Sequence, residues 1–487
     1  MNPTQLGGAA VEGTAGEPRS GSDAPRTVLR AEWVLPMMDQ AMTDQAVTDQ
    51  GMRGPGGSGA EPVIHDGAVC FAGDSILEVG PAQEVLAGSP GARVTHLRGH
   101  ALLPAFVNAH THLPMTMFRG VADDRGLEEF LATLLPLEGR SLDERRVGLA
   151  SWCAMVESHR AGVNTALDMY FFSDAVLAAA DRLGFRVLTG PVFLDDPGPD
   201  SDAAAFERRL AASAEWLARH PDSPDRLPVV APHSTYLVSP SSLGAIGELA
   251  RDAGALLHIH ASETQAEVRE VTDRHGLSPV ALLDDLGLLG PRTVVAHAVH
   301  LDRGEIEALA RSGASVAHCP ASNLKLGSGV APVAELLEAG VEVALGTDGP
   351  ASSNDLDVMG AMRLASLLHK SAGARGTDPT VLPARAALEM VTRNGARALG
   401  LGGRLGVLAP GASADMIAVD LDQPHTQPVH DVFSALVYSA GRGDITEVWS
   451  SGHHVVSGGR HTVADESEVG AVLRSLGAEI LTDPTRP

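Results

Sequence analysis

Residues 105–112 read AFVNAHTH, an apolar run that ends in two histidines one residue apart. Seven later segments share this plan: VNTALDMYF (163–171), FRVLTGPVFLD (185–195), LPVVAPHSTY (227–236), ALLHIHASE (255–263), TVVAHAVHL (293–301), ASVAHCPASN (314–323) and VEVALGTDG (341–349). Helical stretches such as SLGAIGELARDAG and PVAELLEAG lie between them, the alternation that builds βα units and a parallel sheet. Eight such units predict an α/β fold, a closed (β/α)8 TIM-type barrel over 105–398, with its active site at the C-terminal ends of the strands.

Outside the barrel the texture changes. Short β-like runs fill 27–104 (TVLRAEWVLP, DGAVCFAGDSILEVG, ARVTHLRGHALLP) and return in 399–463 (ADMIAVDL, DITEVWSSGHHVVSGGRHTV). The simplest arrangement joins both segments in one small β-sandwich domain, with the barrel inserted between them. Residues 1–26, rich in Gly, Ala, Pro, Ser and Thr without apolar periodicity, read as a disordered leader. The stretch 37–62, with its threefold Asp-Gln, reads as a surface loop between strands, and 464–487 as a helical tail.

The chain of 487 residues is long enough for one large catalytic domain and a smaller one. Its formal charge of −25, from 61 acidic and 36 basic residues, argues against nucleic acid or an anionic membrane as the main partner. A small molecule fits better. Three scattered cysteines, Cys70, Cys153 and Cys319, form neither a disulfide framework nor a thiolate cluster and read as core thiols. With no basic-then-apolar leader and no span of roughly 18 apolar residues, a soluble cytoplasmic protein is expected. Lysine occurs only at Lys325 and Lys370.

Each strand-like run ends in polar or ionisable residues. His110 and His112, two apart on a strand, point to one face and can ligate one ion through neutral nitrogens. The fifth run offers His258 and His260, which share a face, so alternation does not choose between them; His260 is preferred because Glu263 lies three residues on. Asp348, on the eighth, reads as a carboxylate ligand or as a turn carboxylate. Three imidazoles and one carboxylate leave room for a water, as catalytic rather than structural zinc sites do. The sixth run adds His297 and His300, one for catalysis and one for structure.

LLPAFVNAHTHLPMTMFRGVADD, HASET, VVAHAVHLD, CPASNLKLGSG and LGTDGPASSNDLDVMGAMRLASLL, in this order, resemble the 5-methylthioadenosine/S-adenosylhomocysteine deaminases of the amidohydrolase superfamily and their triazine-hydrolase and cytosine-deaminase-like relatives. The resemblance runs from about residue 27 to 463. It implies a hydrolase of C–N bonds in cyclic amidines, with one divalent metal ion, zinc or else iron, on His110, His112, His260 and Asp348. Glu263 would be the acid that protonates a ring nitrogen, and His297 and Asp348 would handle the attacking water. His318 is expected to be structural. Binuclear relatives bridge two ions with a lysine at the end of strand four, where this chain has Pro232-His233-Ser234, so a single ion is expected.

Three further positions are implied as substrate contacts: Glu138 on ribose hydroxyls, His233 near ring and sugar, and Phe130 as an apolar lid. A helix-surface carboxylate, a core histidine and core packing are their structural alternatives. Relatives acting on S-adenosylhomocysteine place arginines where this chain has about Pro191 and Ala205, with Arg208 and Arg209 the nearest cations. The 5′ tail therefore stays open: adenosine, 5′-deoxyadenosine, methylthioadenosine, S-adenosylhomocysteine or aminodeoxyfutalosine type. Hydrolysis of another N-heterocycle (triazine, pterin, oxidised purine, cytosine) and a non-catalytic assembly role are the alternatives. Homo-oligomers are common in the resembled family and are expected here.

Overall fold

The computed structural model describes residues 24–38, 63–194, 203–223, 225–371 and 377–481. Most of the expected leader and the 39–62 part of the expected loop fall outside the described residues.

Eight parallel strands follow one another in the expected order: Phe106–Thr111, Val163–Asp168, Arg186–Leu188 continued by Val192–Phe193, Val229–Pro232, Leu256–Ala261, Thr293–His297, Ser315–His318 and Glu342–Leu345. Side chains from every strand, from Val107 to Ala344, meet in one buried apolar cluster closed below by Ala396 to Leu405. That plug fills the lower barrel interior, beneath the polar groups gathered at the C-terminal mouth. The ring closes where Asp348 N donates to His110 O at 3.0 Å. Asn108 reinforces the seam, its Nδ2 donating to Thr347 Oγ1 at 2.7 Å and its Oδ1 accepting from Thr347 N at 3.0 Å.

The third strand is not the continuous run that the sequence suggests. Its first half pairs with the second strand and its second half with the fourth. At the break, a Cβ on Gly190 would lie 1.8 Å from Val229 O, so only glycine lets the chain pass there.

The flanking segments form one hydrogen-bonded sheet of eight strands. Arg26–Val34, Ile64–Ala72, Ser75–Pro81 and Arg93–Pro104 precede the barrel; Met416–Asp420, Ile445–Ser450, His453–Ser457 and Arg460–His461 follow it. The two halves join where Met416–Asp420 runs antiparallel to Arg93–Pro104, with Ile417 opposite Leu103. The tail helix, Glu466–Leu481, buries Leu476 and Ile480 and ties to Glu144–Arg160 through Arg160–Glu466 and Arg146–Glu479 ion pairs. All three cysteines are buried and free. Among the described residues, no helix is long and apolar enough to cross a membrane.

Candidate active site

The mouth of the barrel gathers His110, His112, His260 and Asp348, all buried, with one ligand atom from each lying within 4.8 Å of the others. Asp348 Oδ1 is 3.2 Å from both His110 Nε2 and His112 Nε2. Turns at the mouth are strained: Asp348, after the eighth strand, has φ +59°, and at the ends of the fifth and sixth strands Ser262 has +56° and His297 +73°. Non-glycine residues rarely adopt this left-handed region, and it concentrates at functional sites. The first strand also slips register against the second between Asn108 and Thr111, beside His110.

Donor chemistry fits a cation. Nδ1–H of His112 donates to Met169 O at 2.6 Å and Nδ1–H of His260 to His233 O at 2.7 Å, so both Nε2 atoms carry lone pairs in the neutral rings. Those two lone pairs face each other across 3.3 Å. His110 Nε2 is buried without a hydrogen-bond partner. Unshielded lone pairs at such range repel; a proton or a metal ion between them resolves it. Burial drives His110 down to about 4. For His112 burial also works downward, but the hydrogen bond and charge of Asp348 outweigh it and raise the ring to about 9. Burial opposes ionisation of Asp348 as well, yet these two imidazoles hold it well below the usual range.

Alternation alone did not choose between His258 and His260, with His260 preferred for its spacing to Glu263, and the structure separates the two. His258 sits behind His110, its Nε2 2.9 Å from His110 Nδ1, and is not among the four converging groups. Of the sixth-strand pair, His297 lines the cavity, whereas His300 turns away to donate to Ser328 O at 2.7 Å. His318 packs with His369, their Nε2 atoms 3.2 Å apart, outside the cavity lining.

Glu263, His297, Glu138, His233 and Phe130 all line one cavity with His112, His260 and Asp348. Its remaining wall is mainly apolar, including Leu127, Leu131, Phe171, Leu194 and Leu326. Glu263 stands at a strand-to-helix corner fixed by a capping box: Thr264 caps Glu267 N, and Glu267 in return accepts from the backbone N–H of Thr264 at 3.4 Å and also from those of Ser262 and Glu263 at 2.9 and 2.6 Å. Burial, with the nearby Asp348 charge, pushes Glu263 up to about 8. Its Oε2 is 3.8 Å from His297 Nε2 and its Oε1 accepts from Ser328 at 3.0 Å. Burial likewise raises Glu138 to about 7, and Tyr170 OH donates to it at 2.5 Å. Neither Arg208 nor Arg209 lines the cavity.

Sequence reasoning missed the residues behind these. Ser322 and Ser352 donate to Asp348 Oδ2 at 2.6 and 2.7 Å, and Asn323 Nδ2 donates to His297 Nδ1 at 2.9 Å. The run CPASNLKLGSG carries Ser322, Asn323 and Ser328 in plain view, but nothing in its spacing says which side chains turn inward.

A barrel whose mouth presents three imidazoles, a carboxylate and a protonatable glutamate defines a metal-dependent hydrolase. The chain belongs to the amidohydrolase family, whose model matches residues 101–455. It is 41% identical over 415 residues to the 5-methylthioadenosine/S-adenosylhomocysteine deaminase of Syntrophobacter fumaroxidans, covering 85% of this chain and 93% of that one. With the protein of the same name from Moorella thermoacetica the identity is 42% over 412 residues, covering 84% and 94%. Among solved structures, an adenosine deaminase from Xanthomonas campestris with bound zinc is similar at a TM-score of 0.83 and 34% identity, covering 94% of this chain and 99% of that one. The atrazine chlorohydrolase of Arthrobacter aurescens TC1, complexed with zinc, is similar at 0.79 and 26%, covering 92% and 99%.

Proposed function

We propose that this chain is a hydrolytic deaminase that converts the adenine of a 5′-substituted adenosine to hypoxanthine and releases ammonia. The substrate class is adenosine, 5′-deoxyadenosine, methylthioadenosine, S-adenosylhomocysteine or an aminodeoxyfutalosine-type nucleoside. The observation that carries the reading is Glu263, buried and raised to about 8, on the wall of the cavity that His112, His260 and Asp348 share. A glutamate that keeps its proton near neutrality is what amine displacement needs, and a better leaving group such as chloride would need it less. The 41% identity to a named deaminase supports the same choice.

Replacing an exocyclic amine requires a nucleophile and a proton for the ring nitrogen. A divalent ion, zinc in this reading, would supply when bound a water acidified far below its ordinary range, toward neutrality. His110, His112, His260 and Asp348 would hold it. Asp348 accepts the nucleophile's proton. His297, whose Nδ1 accepts from Asn323, keeps its proton on Nε2 and donates to the oxygen that adds to the ring. Glu263 gives its proton to the ring nitrogen; the proton taken up by Asp348 passes to the exocyclic amine, which leaves as ammonia, and Glu263 recovers a proton from the added hydroxyl as the carbonyl forms. Glu138 accepts from ribose hydroxyls, His233 lies beside the base and Phe130 covers it. In the same reading one ion is bound, a β-sandwich of 27–104 and 399–463 flanks the barrel of 105–398, and the protein acts as a cytoplasmic homo-oligomer.

The test is a panel of 5′-substituted adenosines with zinc-loaded protein, followed by ammonia release and the adenine-to-hypoxanthine absorbance change. Inert adenosines with chloride or amine released from a triazine, pterin, oxidised purine or cytosine would replace this reading with hydrolysis of another heterocycle. A protein that binds no transition metal and turns over neither group would be a non-catalytic barrel.

A further inference from the structure

Of the 36 basic residues only Lys325 and Lys370 are lysines, and each sits where one small donor meets three oxygens. Lys370 Nζ donates to the carbonyls of Pro379, Val381 and Leu382. Lys325 Nζ donates to Asp123 Oδ1 at 2.6 Å, to Ala351 O at 3.2 Å and to Asn354 Oδ1. Asn354 Nδ2 in turn donates to Asp123 Oδ2 at 3.4 Å, closing a triangle. A compact ammonium with three donors fits such a pocket, and a planar guanidinium does not.

Lys325 and its partners come from three different βα units. Asp123 follows the first strand, Lys325 the seventh, and Ala351 and Asn354 the eighth. Each segment also places a side chain on the cavity. Leu326 follows Lys325, Ser352 follows Ala351, and the helix Leu127–Ser141 that carries Leu127 and Phe130 begins four residues after Asp123. The ion pair is partly exposed, with side-chain accessibilities of 22% and 40%, so little of its value goes to overall stability. Asn354 itself takes the left-handed turn at φ +67° that brings its side chain to Lys325.

We propose that Lys325 is the positioning residue of the cavity mouth: it draws the loops after the first and eighth strands onto the segment after the seventh. In this way it holds Leu127, Phe130 and Leu326 where they meet the substrate. This rests on the reading that the cavity binds the nucleoside. A mouth that is ordered beforehand spares binding the cost of ordering it, so loss of the clamp weakens binding more than chemistry.

The experiment uses zinc-loaded full-length K325M, K325R and D123N with 5′-methylthioadenosine. K325M is expected to raise KM about tenfold or more while kcat stays within about threefold, with zinc content unchanged. D123N, which keeps the shape and removes the charge, moves KM the same way by less and stands in if K325M does not fold. K325R does not restore KM. In K325M without substrate, backbone amides over 127–138 exchange faster than in the wild type. A KM unchanged in both K325M and D123N, or an effect confined to kcat or zinc content, overturns the proposal. If the wild type deaminates no adenosine, the functional reading has failed; the exchange measurement then decides alone, and unchanged protection of 127–138 sinks the clamp.

Discussion

His258 Nε2 lies 2.9 Å from His110 Nδ1, so the imidazole that shares a strand face with His260 supports a neighbouring ring at the mouth of the barrel. With His110 Nε2 left for a cation, His110 donates through Nδ1 to His258. The two histidines of the fifth strand should therefore respond differently to substitution. His260→Ala is expected to abolish stable metal binding, whereas His258→Asn weakens it by about 10- to 100-fold. Elemental analysis after dialysis checks this, with about one equivalent expected in the wild type. The reverse pattern would exchange the two assignments. Zinc at about 100 times its dissociation constant should also add about 2.7 kcal/mol to unfolding stability, a gain that chelation removes.

Glu263→Gln should keep the metal and lose about 10²- to 10⁴-fold in kcat, since no metal-facing group changes while the proton donor disappears. The wild-type pH profile follows from the same residue. Glu263 is held at about 8, and the reading uses its protonated form, so kcat/KM falls as pH rises through the folded-state value. A bound cation favours the carboxylate and moves that limb lower, which makes 8 the upper bound for its midpoint. A basic limb that survives in Glu263→Gln would mean that another group titrates.

Asn323 sets the tautomer of His297 by donating to its Nδ1 at 2.9 Å. Asn323→Asp replaces that donor with an acceptor, pulls the ring proton to Nδ1 and leaves Nε2 unable to donate into the cavity. A loss of about 10- to 100-fold in kcat is expected, with metal content intact. Equal activity of Asn323→Asp and wild type would show that His297 works through shape alone.

What the sequence could and could not convey follows from the range of each signal. The eight strands were legible because each carries its own apolar run, and His110, His112, His260 and Asp348 because each ends one. His258 was ambiguous because period-two alternation places it with His260; only the approach of a different strand reveals that it backs His110. The break at Gly190 depends on Val229 O, a contact 39 residues away. Ser328, Asn323 and Tyr170 reach Glu263, His297 and Glu138 from other βα units, so no local spacing could pair them. Likewise, the flanking segments suggested one domain, but the joint between Met416–Asp420 and Arg93–Pro104 is a register, which composition does not encode.

At the seam between the barrel helix Glu144–Arg160 and the flanking sheet, His159 Nδ1 and His461 Nε2 lie 3.1 Å apart. His461 Nδ1 accepts from Val463 N and Ala464 N at 3.2 and 3.0 Å, so its proton sits on Nε2 and is donated to His159. His159 Nε2 is left buried without a partner. Both rings fold neutral: burial lowers His159 to about 3 and His461 to about 4. The unfolded chain protonates these rings near 6.5, so between that value and about 4 it binds more protons than the folded chain. Stability is therefore complete above pH 6.5 and is lost as the pH falls toward 4. His159→Leu removes one titrating ring and the orphaned nitrogen together, and it should flatten the acid limb of denaturation midpoint against pH. Since other buried imidazoles titrate in the same window, the limb shrinks without vanishing. An identical slope in His159→Leu and the wild type would place the acid sensitivity elsewhere.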